Sequence, residues 1–163
     1  MEIRVENDLV EFVGYLSEKT SAEDIQTGLQ KALQASHSGV VRIDFSKVER
    51  ANSVGILKYL KVFESLHIKA VYERAPIWLV EQFNVIQEFL HGDVTVASLY
   101  ARFFSLTTNK HVTQLLHVGK DVPLLSNYKD FEIELKDESG QMLEPDFDPQ
   151  LYFSFLTTQD DQQ

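Results

Sequence analysis

The sequence predicts an α/β (α+β) fold, a mixed sheet of about five strands with helices packed on it, followed by a small β-rich C-terminal appendage. Short β-branched runs alternate with amphipathic helical stretches through the first hundred or so residues. The run Val40-Val41-Arg42-Ile43-Asp44-Phe45 is apolar enough for a strand covered on both faces, as parallel central strands are. After Phe104 the character changes to turn-like and acidic segments, which places a module boundary near residue 105. The expected division is residues 1–104 for the main domain and residues 105–163 for a ribbon-like appendage with a short C-terminal helix.

The elements follow in order. Glu2 to Asn7 and Leu9 to Tyr15 read as a hairpin around Asn7-Asp8. Thr20 to Asp24 carries capping-box chemistry, and Ile25, Leu29 and Leu33 then fall on one helical face that His37-Ser38-Gly39 closes. The Val40 strand leads through a short polar turn to a helix from Ser53 to Leu66, with Ile56, Leu57, Leu60 and Phe63 expected inside. Ile68 to Tyr72 is a strand, Pro76 to Leu90 a third helix stopped by Gly92, and Asp93 to Phe104 a last strand. In the appendage, Val112 to Val118 and Phe131 to Leu135 are strand-like, Ser139-Gly140-Gln141 is a turn, and Leu151 to Leu156 is a short helix docking Tyr152, Phe153 and Phe155 as core. Residues 157–163 read as a loose polar tail.

Composition excludes several functions. With 44% hydrophobic and 25% charged residues the chain is a globular sequence, long enough for one ordinary domain or a domain plus appendage. It has no cysteine, so disulfides and thiolate chemistry are out and a cytoplasmic setting is expected. Residues 119 to 163 hold 3 Lys and 11 acids, a balance of −8, whereas the first 118 residues hold 12 basic and 14 acidic groups, a balance of −2. That distribution argues against nucleic acid or an anionic membrane as partner. No transmembrane segment is evident, and Glu2 and Arg4 after Met1 do not make a secretory leader.

The main candidate for function is Ser53. A serine placed there suits a helix N-cap, which explains it structurally. A phosphate on it would also meet free N–H groups and the positive end of the helix dipole, while adding about −1.5 to −2 of charge to a docking surface. Gly55 lets another backbone approach the first turn, so the expected partner-binding set is Asn52, Ser53, Val54 and Gly55. No catalytic constellation is present: Gly-x-Ser-x-Gly, a phosphate-cradling loop and a dinucleotide fingerprint are all missing. His37, His67, His91, His111 and His117 are scattered without a ligand spacing, so neither metal nor cofactor is expected. Asp44 is expected to hydrogen-bond the turn that follows it.

The residues Asp44-Phe45-Ser46 and Asn52-Ser53-Val54-Gly55 resemble the strand end and Asp-Ser-Ser/Thr-Gly turn of the STAS domain, the family of bacterial anti-sigma-factor antagonists. The resemblance covers about residues 1 to 100. It implies a non-enzymatic regulatory adaptor whose partner is an anti-sigma factor or a serine kinase, with Ser53 matching the serine that the kinase phosphorylates. Asn52 stands where the family has an acid and Val54 where it has a second hydroxyl, so a phosphorylated switch and a constitutive adaptor both stay open, as does a homodimer. A STAS protein that binds a small ligand or lipid in transport or sensing is the alternative. The appendage resembles a zinc ribbon without its cysteines: Ser105, Thr108, Lys136 and Ser139 stand where thiolates are expected, and Tyr152-Phe153-Ser154-Phe155-Leu156 matches the ending. These four residues are no structural zinc ligand set.

Overall fold

The computed structural model describes residues 1–157. The polar tail expected over 157–163 therefore lies, from residue 158 on, outside the described residues. The expected α/β architecture is present, with a five-stranded mixed sheet in the order β1-β2-β3-β4-β5. Strands β1 (Glu2–Glu6) and β2 (Leu9–Leu16) form the hairpin, and Asn7 takes the left-handed backbone that its turn requires, at φ 53°. Ser21 caps α1 (Ala22–Ala35) by accepting from the Asp24 N–H at 3.1 Å, and Ile25 and Leu29 are fully buried as expected.

Strand β3 (Val40–Ala51) is parallel to β2 and runs well past Phe45, where a polar turn was expected. Two register shifts against β2, opposite Glu11–Val13 and opposite Gly14–Tyr15, each place one extra residue on β3 and absorb the difference, and Gly14 supplies φ 101° at the second. Helix α2 (Ser53–Leu66) follows directly and ends at His67 in the left-handed conformation. Its buried face is Ile56, Tyr59, Leu60 and Phe63; Leu57, expected inside, is exposed. Strand β4 (Lys69–Glu73) and strand β5 (Val94–Val96) complete the parallel part of the sheet. Between them the expected helix to Leu90 is two pieces, α3 (Ile77–Phe83) and a 3₁₀ turn (Gln87–Leu90). Asn84 accounts for the break. Its amide donates to the Val80 and Tyr152 carbonyls, and its oxygen accepts from Ser154 Oγ and the Phe155 N–H, tying the C-terminal segment to the end of α3.

The last expected strand of the main domain is likewise two strands, because only β5 joins the first sheet. Strand β6 (Ser98–Ser105) is the middle of a second, antiparallel sheet, flanked by β7 (Lys110–His117) and β8 (Leu143–Pro145). That sheet thus begins ahead of the boundary placed near residue 105. The two sheets are stitched at Ala75, whose N–H donates to Ser98 and whose carbonyl accepts from Tyr100. Phe131 to Leu135 alternates in burial as a strand would, with Ile133 inside, yet joins no ladder. Leu135 offers only its carbonyl, to the Leu143 N–H at 2.8 Å. The ending is α4 (Pro149–Tyr152) and a 3₁₀ turn (Ser154–Leu156), which bury Phe153 against Tyr128, Phe131 and Phe147. Buried side chains of both sheets form one continuous core.

Candidate functional site

The α2 start is built by Asn52, not by Ser53. Asn52 has the extended backbone of an N-cap, and its Oδ1 accepts from the Gly55 N–H at 2.9 Å. Asparagine is at least as good a cap as serine, and β3 delivers the chain in extended form up to this residue. Ser53 is therefore the first helical residue. Its side chain is exposed, and its hydroxyl has no hydrogen-bond partner among the described residues.

Gly55 is buried. A Cβ there would lie 2.5 Å from the carbonyl of Leu16 and from the Ser17 nitrogen, so the backbone that approaches the first turn belongs to this chain. Of the four expected partner-binding positions, Ser53 and Val54 face solvent, Asn52 is half-buried and Gly55 is inside.

The β2–α1 turn is fastened onto the same helix start. The Asn52 N–H donates to the Leu16 carbonyl at 3.0 Å, and the Asn52 amide donates to Glu18 Oε2 at 2.7 Å. Lys58 Nζ donates to the carbonyls of Glu18 and Thr20 at 2.6 and 2.7 Å. The Asn52 hydrogen bond holds the Glu18 carboxyl below its ordinary range. Glu18 thus puts an acid beside Asn52, next to Ser53, although position 52 itself carries none.

Two large apolar side chains one turn apart, Val54 and Leu57, are 51% and 56% exposed on the face that begins at Ser53. At the neighbouring ends of β2 and β3, the Arg50 guanidinium lies 4.7 Å from the centre of the Tyr15 ring. Aromatic, arginine and aliphatic side chains are the residue types enriched at the core of protein-binding surfaces. Glu18, Tyr15 and Arg50 were not legible in sequence, since only the parallel pairing of β2 with β3 brings them to the α2 start.

Asp44 is fully buried on β3. It accepts from the Ser46 N–H at 2.7 Å, within the same strand and not in a following turn as expected, because β3 continues to Ala51, and it is also paired with Arg74. The histidines are spread as expected, with His67 closing α2 and His91 closing the 3₁₀ turn. Among the described residues no group of three or more His, Asp or Glu could hold a metal.

In the appendage, Ser105, Thr108, Lys136 and Ser139 line one pocket. Its hub is Asp137, which accepts from Thr107 Oγ1 at 2.7 Å and from Ser139 Oγ at 2.6 Å. These bonds, Ser139 foremost, lower the Asp137 carboxyl to about 2.

No family model and no curated protein matches the chain. Among solved structures, that of the anti-sigma factor antagonist SpoIIAA in its unphosphorylated form is similar to it at 16% identity and a TM-score of 0.36, over 58% of this chain and 84% of that one.

Proposed function

We propose that the chain is a non-enzymatic regulatory adaptor of STAS type that binds an anti-sigma factor or a serine kinase through the start of α2. The observation that carries this reading is the exposed, unengaged hydroxyl of Ser53 beside the exposed Val54 and Leu57. An apolar patch of this kind gives a partner something to bury, and a phosphate on Ser53 opposes that burial through desolvation and charge. Glu18 adds to the effect, because the phosphate would join a carboxylate already held at the site. The cysteine-free composition supports a cytoplasmic setting, and no helix among the described residues is long and apolar enough to cross a membrane. In the same reading the second sheet is a ribbon held without metal, with Asp137 joining the two turns where ligands would stand. Intact mass of the protein from its native host tests the switch: a gain of about 80 Da located on Ser53 is expected, and an unmodified Ser53 under every growth condition would rule the switch out.

A second reading, a small-ligand binder, is favoured by one feature. A cavity of about 360 Å³ lies at the opposite end of α2, with Phe63 and Ile68 among its lining residues and His67 and His91 beside them. Its size is within the range of ligand pockets. Native mass spectrometry of the purified protein showing a bound small molecule would support this reading, and bare protein would count against it.

A further inference from the structure

Strand β1 is the outer strand of the five-stranded sheet. The two-residue turn Asn7-Asp8 makes Glu6 and Leu9 a hydrogen-bonded pair, so Glu2, Arg4 and Glu6 aim their main chain at β2. By alternation Ile3 and Val5 direct their N–H and C=O groups outward, to an edge with no partner strand among the described residues. Natural sheets block such edges with bulges, proline, short strands or charged side chains, and of these β1 has its five-residue length and the charges of Glu2, Arg4 and Glu6. Strand β1 pairs with β2 without a register shift and contains no proline.

We propose that a second copy of this chain covers this edge, with the two β1 strands antiparallel about a two-fold axis at Ile3 and one sheet continuing through the dimer. Charge selects both the occupant and the register. With the axis at Ile3, Glu2 of each copy faces Arg4 of the other. With the axis at Arg4, Arg4 faces its own copy and Glu2 faces Glu6. With the axis at Val5, Arg4 faces Glu6, but Glu2 faces the like-charged Asp8 and Ile3 faces the turn at Asn7. Only the first register sets Glu2 against Arg4 and places no like charges opposite each other.

Helix α1 gives a second, separate match about the same axis. Gly28 packs directly on Ile3, a Cβ there falling 2.8 Å from Ile3 Cγ2. The groove between β1 and α1, of about 330 Å³, is lined by Ile3, Val5 and Thr27, with Asp24 and Lys31 also on its walls. Asp24 and Lys31 lie two helical turns apart with Gly28 between them, so the rotation that pairs Ile3 with its copy brings Asp24 of one chain toward Lys31 of the other. Two elements with unrelated sequences are thus self-complementary about one axis.

Sedimentation of the full chain over a range of concentrations tests the dimer, independently of the function proposed above. The expected mass rises with concentration from 18.7 kDa toward twice that value. Glu2→Arg sets two guanidinium groups opposite each other, the new one and that of Arg4, and is expected to raise the dissociation constant roughly tenfold or more. The swap Glu2→Arg/Arg4→Glu is expected to restore dimerisation, and Asp24→Lys with Asp24→Lys/Lys31→Asp should repeat the pattern on the helix. Both residues of the β1 swap are at least half exposed in their side chains, and circular dichroism confirms that each variant folds. A wild-type chain that stays monomeric at several hundred micromolar overturns the proposal. So does Glu2→Arg dimerising like wild type, or a swap that fails to rescue it.

Discussion

The hydroxyls of Tyr59 and Tyr72 lie 2.9 Å apart, and both side chains are fully buried. Tyr59 projects from α2 and Tyr72 from β4, so this bond ties the helix that carries the candidate site to the parallel part of the sheet. One phenol donates to the other, leaving the second proton without an acceptor among the described residues. Removing either hydroxyl strands its partner, and Tyr59→Phe or Tyr72→Phe is expected to cost about 1–3 kcal/mol. The double variant removes both polar groups and should be no less stable than either single one. Urea unfolding of the four proteins measures the coupling.

The same burial raises both phenols above their ordinary value, desolvation being the first cause in each. A raised acid in the folded state means the unfolded chain gives up its proton first. The contribution to stability is therefore complete below the unfolded value of about 10 and declines as pH rises above it. Thermal midpoints from pH 8 to 11 are expected to fall more steeply in wild type than in the double phenylalanine variant.

Asp44 and Arg74 form an unequal pair, since the Asp44 side chain is 0% exposed and that of Arg74 41%. Arg74→Met leaves a buried carboxylate with the Ser46 N–H as its remaining donor and is expected to cost about 3–5 kcal/mol. Asp44→Asn keeps an acceptor for Ser46, and the freed guanidinium can reach water, so about 1 kcal/mol is expected. Equal losses in chemical denaturation would show that solvent reaches both groups alike.

Gly55 and Gly28 are both helical and both crowded, but against different neighbours. At Gly55 the obstruction is the Leu16 and Ser17 backbone, whereas at Gly28 it is the end of the Ile3 side chain. Gly55→Ala is expected to destabilise by about 1–3 kcal/mol. Gly28→Ala recovers part of its cost through helix propensity, about 1 kcal/mol, and should lose less. Thermal unfolding of the two variants beside wild type checks the order.

Asp137 has a carboxyl lowered to about 2, with its hydrogen bonds to Ser139 and Thr107 as the leading causes. A lowered acid stabilises above its unfolded value near 3.8 and loses that contribution as pH falls toward 2. The difference in thermal midpoint between wild type and Asp137→Asn is expected to be constant above pH 5 and to close between about pH 4 and pH 2.

The alternation of strands and helices was legible because each amphipathic period repeats within a local window, as in Ile25-Leu29 of α1. The cap at Asn52 differs by one residue from the expected Ser53 because asparagine and serine compete for the same role, and the extent of β3, which decides between them, depends on its bulges against β2. The placement of β6 in a second sheet depends on its pairing with β7 and β8, a choice that alternation in Ser98–Ser105 does not encode. Leu57 falls beside the buried stripe, and a period of 3.6 does not say where that stripe ends. Glu18 and the Tyr15–Arg50 stack reach the site only through long-range contacts.

The most direct measurement is capture of a purified partner by wild type, Ser53→Ala, Ser53→Asp and Leu57→Glu, all folded by circular dichroism. The expected result is retention by wild type and Ser53→Ala, with at least a tenfold loss for Ser53→Asp and Leu57→Glu, because charge enters a surface that must be desolvated. Equal capture by all four proteins would contradict a partner surface at the start of α2.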